Sequence, residues 1–343
     1  MNTVSRIGER AISMITMNEI AKKVNVSQAT VSRVLNGNTS VNPEVRAKVL
    51  ACAKKYNYQP NIMAQSLNGS KTYLLGVIVT DISNPFFADI VKVIEREAGK
   101  KKYSLMLFNS DYDVDKEKKY LQILSRYNVD GILLVPLEQG IDYDEFRENC
   151  HIPLVSITKQ MKNMDSVFIS HYEVGQKIAR HLLSSGYSSF VYVGDENDEK
   201  ERGYKEELFR QGIDLEQHYF AIRLRETIKL SELLTNWFDK ESEADGVGIF
   251  AYNDIQAVIV LQVLNELRIE IPRQAALVGC DNTFIGRVVS PTITSVAQPI
   301  DEMGRIAIEH MMMCIKRADF NTDNYETSEL EARVIIRQST SGK

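Results

Sequence analysis

From Tyr73 onward the chain alternates short, apolar, β-branched runs with amphipathic stretches, and few architectures tolerate that order. The runs are LLGVIVT (74–80), SLMLFN (104–109), GILLVP (131–136), PLVSI (153–157), FVYVG (190–194), GVGIFAY (246–252) and AALVGC (275–280). Each has the length of a strand and is apolar along most of it, which fits burial on both faces. Between them apolar residues recur at helical spacing, for instance from Ala88 to Ala98 and from Val174 to Leu183. Strands separated by helices pair in parallel, since each crossover returns the chain to the same end of the sheet. About 270 residues with this many strands exceed one small sheet. Two doubly wound lobes with a cleft between them satisfy the pattern, and ligands then bind beyond the strands' carboxyl ends.

The residues before Tyr73 obey a different period. Thr16 precedes Met17, Ile20, Ala21 and Val24, and Glu19 stands three residues after it: a capping box opening a helix. Asn25 tolerates the left-handed backbone of a tight turn. Ser27 caps a second helix through Val31, Val34 and Leu35, which Asn36-Gly37 stops. Asn42-Pro43 opens a third, with Val45, Val49 and Ala53 on one face. Two short helices about a three-residue turn, braced by a third, form a helix-turn-helix. Its second helix keeps short hydroxyl and amide side chains outward, as the start of a recognition helix in a major groove requires. Gln28 and Ala29 stand where base edges are read, and Ser27, Thr30, Ser32 and Arg33 can reach phosphates or bases. Thr16 and Asn36, at helix ends, complete the candidate DNA-contacting set.

Charge supports that reading once its distribution is considered. The net charge is −5, yet residues 1–71 hold ten Lys or Arg against three Glu and no Asp, a net +7 that leaves −12 elsewhere. A basic head on an acidic body suggests an anionic polymer as the head's partner. The four cysteines are scattered without a CxxC, and the five histidines form no HExxH, so neither a metal site nor a cofactor is expected. No Walker loop, no GxGxxG in a βα setting and no credible triad speaks for an enzyme. No segment approaches the roughly 18 apolar residues that cross a bilayer, and the first twenty residues lack a signal peptide's apolar core. The expectation is a cytoplasmic protein with no membrane partner.

The motifs ATVSRVLNG, VNPEVRAKVL, YNYQPN and AQSL, in that order, resemble the head of the LacI/GalR family of bacterial transcription regulators. The likeness continues through TDISNPFFADI, VDGILLVP, FAYNDIQA, VGCDN, PTITSVAQP and IIRQST. It implies a small all-α helix-turn-helix head and an α/β body of two doubly wound lobes, similar to periplasmic sugar-binding proteins, with three crossings between lobes. The expected organisation is a disordered or untranslated extension over 1–15 (Met14 being a second candidate start), the helix-turn-helix at 16–60, a hinge helix and linker at 61–72, and an effector-binding and dimerisation body at 73–340. Pro60 opens a helix from Asn61 to Leu67 that is too short to be stable alone. The resemblance implies that it folds on operator DNA, pairs with its dimer mate and wedges Leu67 into the minor groove. Gln65 departs from the Arg found in many members.

In the cleft, the resemblance assigns Asp281 to sugar hydroxyls, since a carboxylate accepts two donors at once. Asn253 and Asp81 would add polar contacts, and Phe87 a ring on which a sugar stacks. Two positions depart from the family: Thr158-Lys159 replaces an "iDr" motif, and Lys200 stands where RxxGF has Arg. Thr158 and Lys200 join the candidate effector set, and Lys200 with Lys159 would give a cationic rim suited to an anionic or phosphorylated sugar. The implied function is a homodimeric repressor of a pseudo-palindromic operator, controlled by a sugar or sugar derivative. Alternatives are a global catabolite regulator controlled by a phosphorylated carrier protein, or a sugar-binding protein or enzyme with a fused head.

Overall fold

The computed structural model describes residues 15–35, 37, 40–58, 71–137, 140–196, 198–223, 229–240, 246–317 and 324–341. The chain divides into two compact units, Met1–Thr72 and Tyr73–Lys343. The first contains α1 (Met17–Val24), α2 (Gln28–Leu35) and α3 (Pro43–Lys55). The capping box forms in both directions: Glu19 N donates to Thr16 Oγ1 at 3.2 Å, and Thr16 N to Glu19 Oε2 at 2.7 Å. Asn25 closes α1 in the left-handed region at φ 57° and ψ 50°. Ser27 Oγ accepts from Thr30 N at 3.1 Å, and Asn42 Oδ1 from Glu44 N at 2.8 Å. Ile20, Ala21, Val31, Val34, Val49 and Ala53 make the core where the three helices meet. The expectations for the N-terminal extension up to residue 14, the short helix to Leu67, Gln65 and Asn36 fall outside the described residues, while Ile15, expected in that extension, packs against the head's core.

In the second unit, β1 (Leu74–Val79), β2 (Ser104–Asn109), β3 (Gly131–Leu134), β4 (Leu154–Thr158) and β5 (Asp165–Ile169) lie in one sheet. The other sheet holds β6 (Ser189–Gly194), β7 (Tyr219–Arg223), β8 (Val247–Ala251), β9 (Ala275–Cys280) and β10 (Thr294–Ala297). Near the C-terminus, β11 (Thr327–Leu330) adds to the first sheet and β12 (Arg333–Ile335) to the second. The orders are β11-β5-β4-β3-β1-β2 and β12-β10-β9-β8-β6-β7. The pairings are parallel, apart from antiparallel β10 and β12. The chain therefore passes between sheets three times, after β5, β10 and β11.

The crossover helices are α4 (Pro85–Lys100), α5 (Val114–Arg126), α6 (Tyr143–Cys150), α7 (His171–Ser184), α8 (Glu199–Arg210), α9 (Leu215–His218), α10 (Leu230–Lys240), α11 (Asp254–Glu266), α12 (Ile285–Val288) and α13 (Ile300–Cys314). Every strand expected from an apolar run is present, but β5, β7, β10, β11 and β12 were not anticipated as strands. The reasons differ. β5 opens on a buried Asp165, whose carboxylate is held by Arg317 at 3.0 and 3.2 Å, so its polarity hides its burial. β7, β11 and β12 lie at sheet edges: TSEL of β11 is mostly polar and RVI of β12 is only three residues long, whereas YFAIR of β7 is an apolar run in its own right. No helix among the described residues is long and apolar enough to cross a membrane.

Helices α7 and α8 cross in close contact. A methyl on Gly175 would sit 2.0 Å from the Lys200 carbonyl oxygen, and one on Gly203 1.9 Å from that of Tyr172. Only hydrogen fits at either position.

Candidate functional site

The carboxyl ends of both sheets open onto one cavity of about 400 Å³. In each sheet the strand order reverses around the first strand, and ligand clefts form at such switch points. From the first sheet come Thr80 after β1, Tyr112 after β2, Leu137 after β3 and Thr158 at the end of β4, with Asn84 and Phe87 where α4 begins. From the second come Asp195 and Asp198 after β6, Asn253 after β8, Asp281 after β9 and Gln298 after β10.

Asp281 leaves β9 at φ 98° and Asn282 follows at 53°, successive left-handed residues that turn the chain sharply. Its carboxylate is buried, with Oδ1 accepting from Gln298 Nε2 at 2.7 Å. Burial raises its pKa above the usual carboxylate value, against the pull of Lys200 and the Gln298 amide. The adjoining turns are pinned from behind by Asp254, which accepts from Thr283 Oγ1 at 2.9 Å and Ser295 Oγ at 2.6 Å. Burial pushes the Asp254 carboxyl up to about 6. Asn253 lines the cavity and caps α11 through Gln256 N at 2.9 Å. Phe87 also lines it, with its ring edge-on to Phe86 at 5.2 Å.

Two expectations need correction. Asp81 is not among the residues lining the cavity; its carboxylate accepts from Ser83 N at 2.9 Å and Ser83 Oγ at 2.6 Å, capping its own turn. Thr80 and Asn84, on either side of that turn, line the cleft in its place. Lys200 lines the cavity but is no cationic rim. It is buried, its Nζ donates to the Tyr252 carbonyl at 2.8 Å and lies 3.8 Å from Asp198 Oδ2. Burial opposes its charge, yet Asp198 and its neighbours hold its pKa above the ordinary value. Its ammonium is an internal counter-ion.

Thr158 lines the cavity, and its carbonyl oxygen lies 3.2 Å from His171 Nε2. Burial, with Lys200 nearby, lowers the His171 pKa to about 4, so the ring is neutral at pH 7. His171, Tyr112, Tyr252, Asn84 and Gln298 were not singled out from sequence. Asn84 and Gln298 lie inside the motifs SNPFFADI and SVAQP, which offered the signal. For His171 no local signal exists, since only the first crossing between the sheets brings it to the cleft.

In the head, Ser27, Gln28, Ala29 and Arg33 are exposed, while Thr30 and Ser32 are half-buried. Ser27 Oγ and Thr30 Oγ1 are 2.9 Å apart and occupy one another. The Thr16 hydroxyl is engaged with Glu19, as an N-cap should be.

Comparison with known proteins agrees with both units. Residues 16–61 match the model for bacterial regulatory proteins of the lacI family, and residues 179–340 that for a periplasmic binding protein-like domain. The ribose operon repressor of Halalkalibacterium halodurans is 29% identical over 96% of this chain and 98% of its own length. The sucrose operon repressor of Pediococcus pentosaceus is 31% identical over 91% and 95%. A solved periplasmic binding protein/LacI transcriptional regulator from Alkaliphilus metalliredigens, complexed with D-xylulofuranose, superposes with a TM-score of 0.67 at 28% identity, covering 79% of this chain and all of that one. A helix-turn-helix head joined to a two-lobed binding body makes this protein a DNA-binding transcription regulator, and the chain belongs to the lacI family of bacterial regulatory proteins.

Proposed function

We propose that the protein is a homodimeric repressor acting in the cytoplasm, which reads a pseudo-palindromic operator with α2 and changes its grip when a sugar or sugar derivative enters the cleft. The observation that carries the effector half is the buried Asp281–Gln298 pair at the strand ends. A related regulator that binds D-xylulofuranose supports the ligand class. The reading divides the chain into a head at 16–60, a hinge helix and linker at 61–72 with Leu67 as the wedge, and a body at 73–340 that binds effector and dimerises. The exposed Phe284 and Val288, one turn apart at α12, favour a second copy as the body's partner. Coupling of about 1–3 kcal/mol between effector and operator would change DNA affinity roughly 5–150-fold.

The DNA half is tested at Gln28 and Ala29, both exposed at the start of α2. Replacing them together should alter which half-site is selected from a randomised library, because a good base contact contributes about 1–3 kcal/mol of discrimination. Non-specific binding, set by phosphate contacts and salt, should change little. An unaltered consensus would remove α2's first turn as the base reader.

A further inference from the structure

The residues after Lys71 carry a net −12, yet the end of the body at which the chain enters it is basic. Three segments start the first sheet side by side. Ser104 N donates to the Tyr73 carbonyl at 2.9 Å, and Asp130 N to the Leu74 carbonyl at 2.8 Å. Strands β2 and β3 both run parallel to β1, so the residues preceding each of them lie at this same end. Lys100, Lys101 and Lys102 precede β2, Arg126 precedes β3, and all four are exposed. The nearby carboxylates are occupied: Glu97 by Arg96 and Lys100, and Asp130 by Tyr73 N at 3.1 Å. Among the described residues Lys101, Lys102 and Arg126 have no acidic partner. Tyr73 and Tyr127 are exposed at the same end, with hydroxyls of the kind that donate to phosphate oxygens.

The dipole of α4 does not account for three successive lysines. Its last turn already holds Lys100, and the dipole's influence fades beyond that turn. Lys102 lies past the helix at φ 67°, in the left-handed region where glycine is unstrained and a lysine is not. Backbone strain is thus tolerated at a position whose ammonium pairs with no acid of the body. An acidic body tethered to a DNA-binding head is repelled by the duplex, and a basic end where the tether joins offsets that repulsion.

We propose that this end of the body is a second DNA-contacting surface, at which Lys101, Lys102 and Arg126 take phosphates of the duplex outside the bases that α2 reads. Such contacts are to backbone charge, so they add affinity without adding sequence preference. The proposal goes beyond the head's reading of the operator and leaves that reading unaltered.

Anisotropy of the full chain on a long random-sequence duplex, between about 50 and 200 mM salt, tests it. In Lys101→Gln/Lys102→Gly the slope of log affinity against log salt should become shallower by about 2 per protomer, at about 0.9 for each lost phosphate contact. Affinity at low salt should fall about tenfold or more, while the half-site selected from a randomised library stays the same. Lys118→Gln/Lys119→Gln removes equal charge from exposed residues near the start of α5, at the opposite end of the sheet, and should leave the slope unchanged. Lys102→Gly alone relaxes the turn, so weaker duplex binding with no loss of melting temperature separates contact from folding. An unchanged slope in the first double variant overturns the proposal, and is the result expected if an acidic protein were the partner of this end. Equal losses in both double variants also overturn it, since net charge alone would then explain them. A wild-type protein that binds no duplex overturns it together with DNA binding by the head.

Discussion

Glu117 carries a carboxylate with no exposed surface, on α5, beneath the loop that brings Leu137 to the cleft. Tyr143 donates its hydroxyl to Oε1, while Oε2 has no partner among the described residues. Burial, only partly offset by Tyr143 and the Leu137 amide, raises the carboxyl pKa to about 7. A folded-state pKa above the unfolded value means that the native state holds this proton more tightly. Stability is then full at low pH and falls as pH rises from about 4.5 through 7, where the unfolded chain ionises freely. Between pH 5 and 8 the loss at this group is about 2 kcal/mol. Glu117→Gln keeps an acceptor for Tyr143 and does not titrate. Urea denaturation of both proteins should therefore show the variant gaining about 2 kcal/mol on the wild type between those pH values. A constant difference would mean that the charge is relieved in some other way.

At the scale of elements, the crossing of α7 and α8 decides where His171 and Lys200 stand, since each lies within one turn of the glycine contact. Gly203→Ala forces the helices apart against backbone atoms that cannot rotate away. It should cost about 1–3 kcal/mol and displace both cleft residues, weakening effector binding. Gly99→Ala, on α4 with nothing within 4 Å of the new methyl, is the matched control and should be neutral or slightly stabilising. Melting temperature and sugar affinity of the two variants together check the claim; equal behaviour would refute it. The sequence carried no hint of this crossing, because a glycine's neighbours across a helix pair are set by tertiary packing. Helix starts were legible: Thr16, Ser27 and Asn42 cap the helices where their local chemistry indicated.

For the whole molecule, the central question is energetic coupling between the effector cleft and the DNA-reading head. Linkage makes it reciprocal: if sugar changes operator affinity by some factor, operator must change sugar affinity by the same factor. Wild-type protein should show that equality, measured by calorimetry with and without operator and by gel shift with and without sugar. Asp281→Ala should lose sugar binding, since unpaired ligand hydroxyls cost about 1–3 kcal/mol each, while its operator affinity without sugar stays unchanged. If the variant loses operator binding as well, Asp281 is chiefly a structural turn residue.

What the sequence determined by itself was whatever rests on near neighbours. Caps, the αL turn at Asn25, apolar strand runs and the helix-turn-helix pattern are interactions across a few residues, and periodicity records them. Asp281 and Asn253 were legible as ends of such runs. The tertiary structure decided what depends on long-range placement: that Asp165 is buried because Arg317 meets it, that Asp81 closes its own turn, and that Lys200 serves Tyr252 and Asp198. It also brought His171 and Gln298 to the cleft across the chain's separate crossings. A side chain's charge is written in the sequence, but the partner that neutralises it is chosen by the fold.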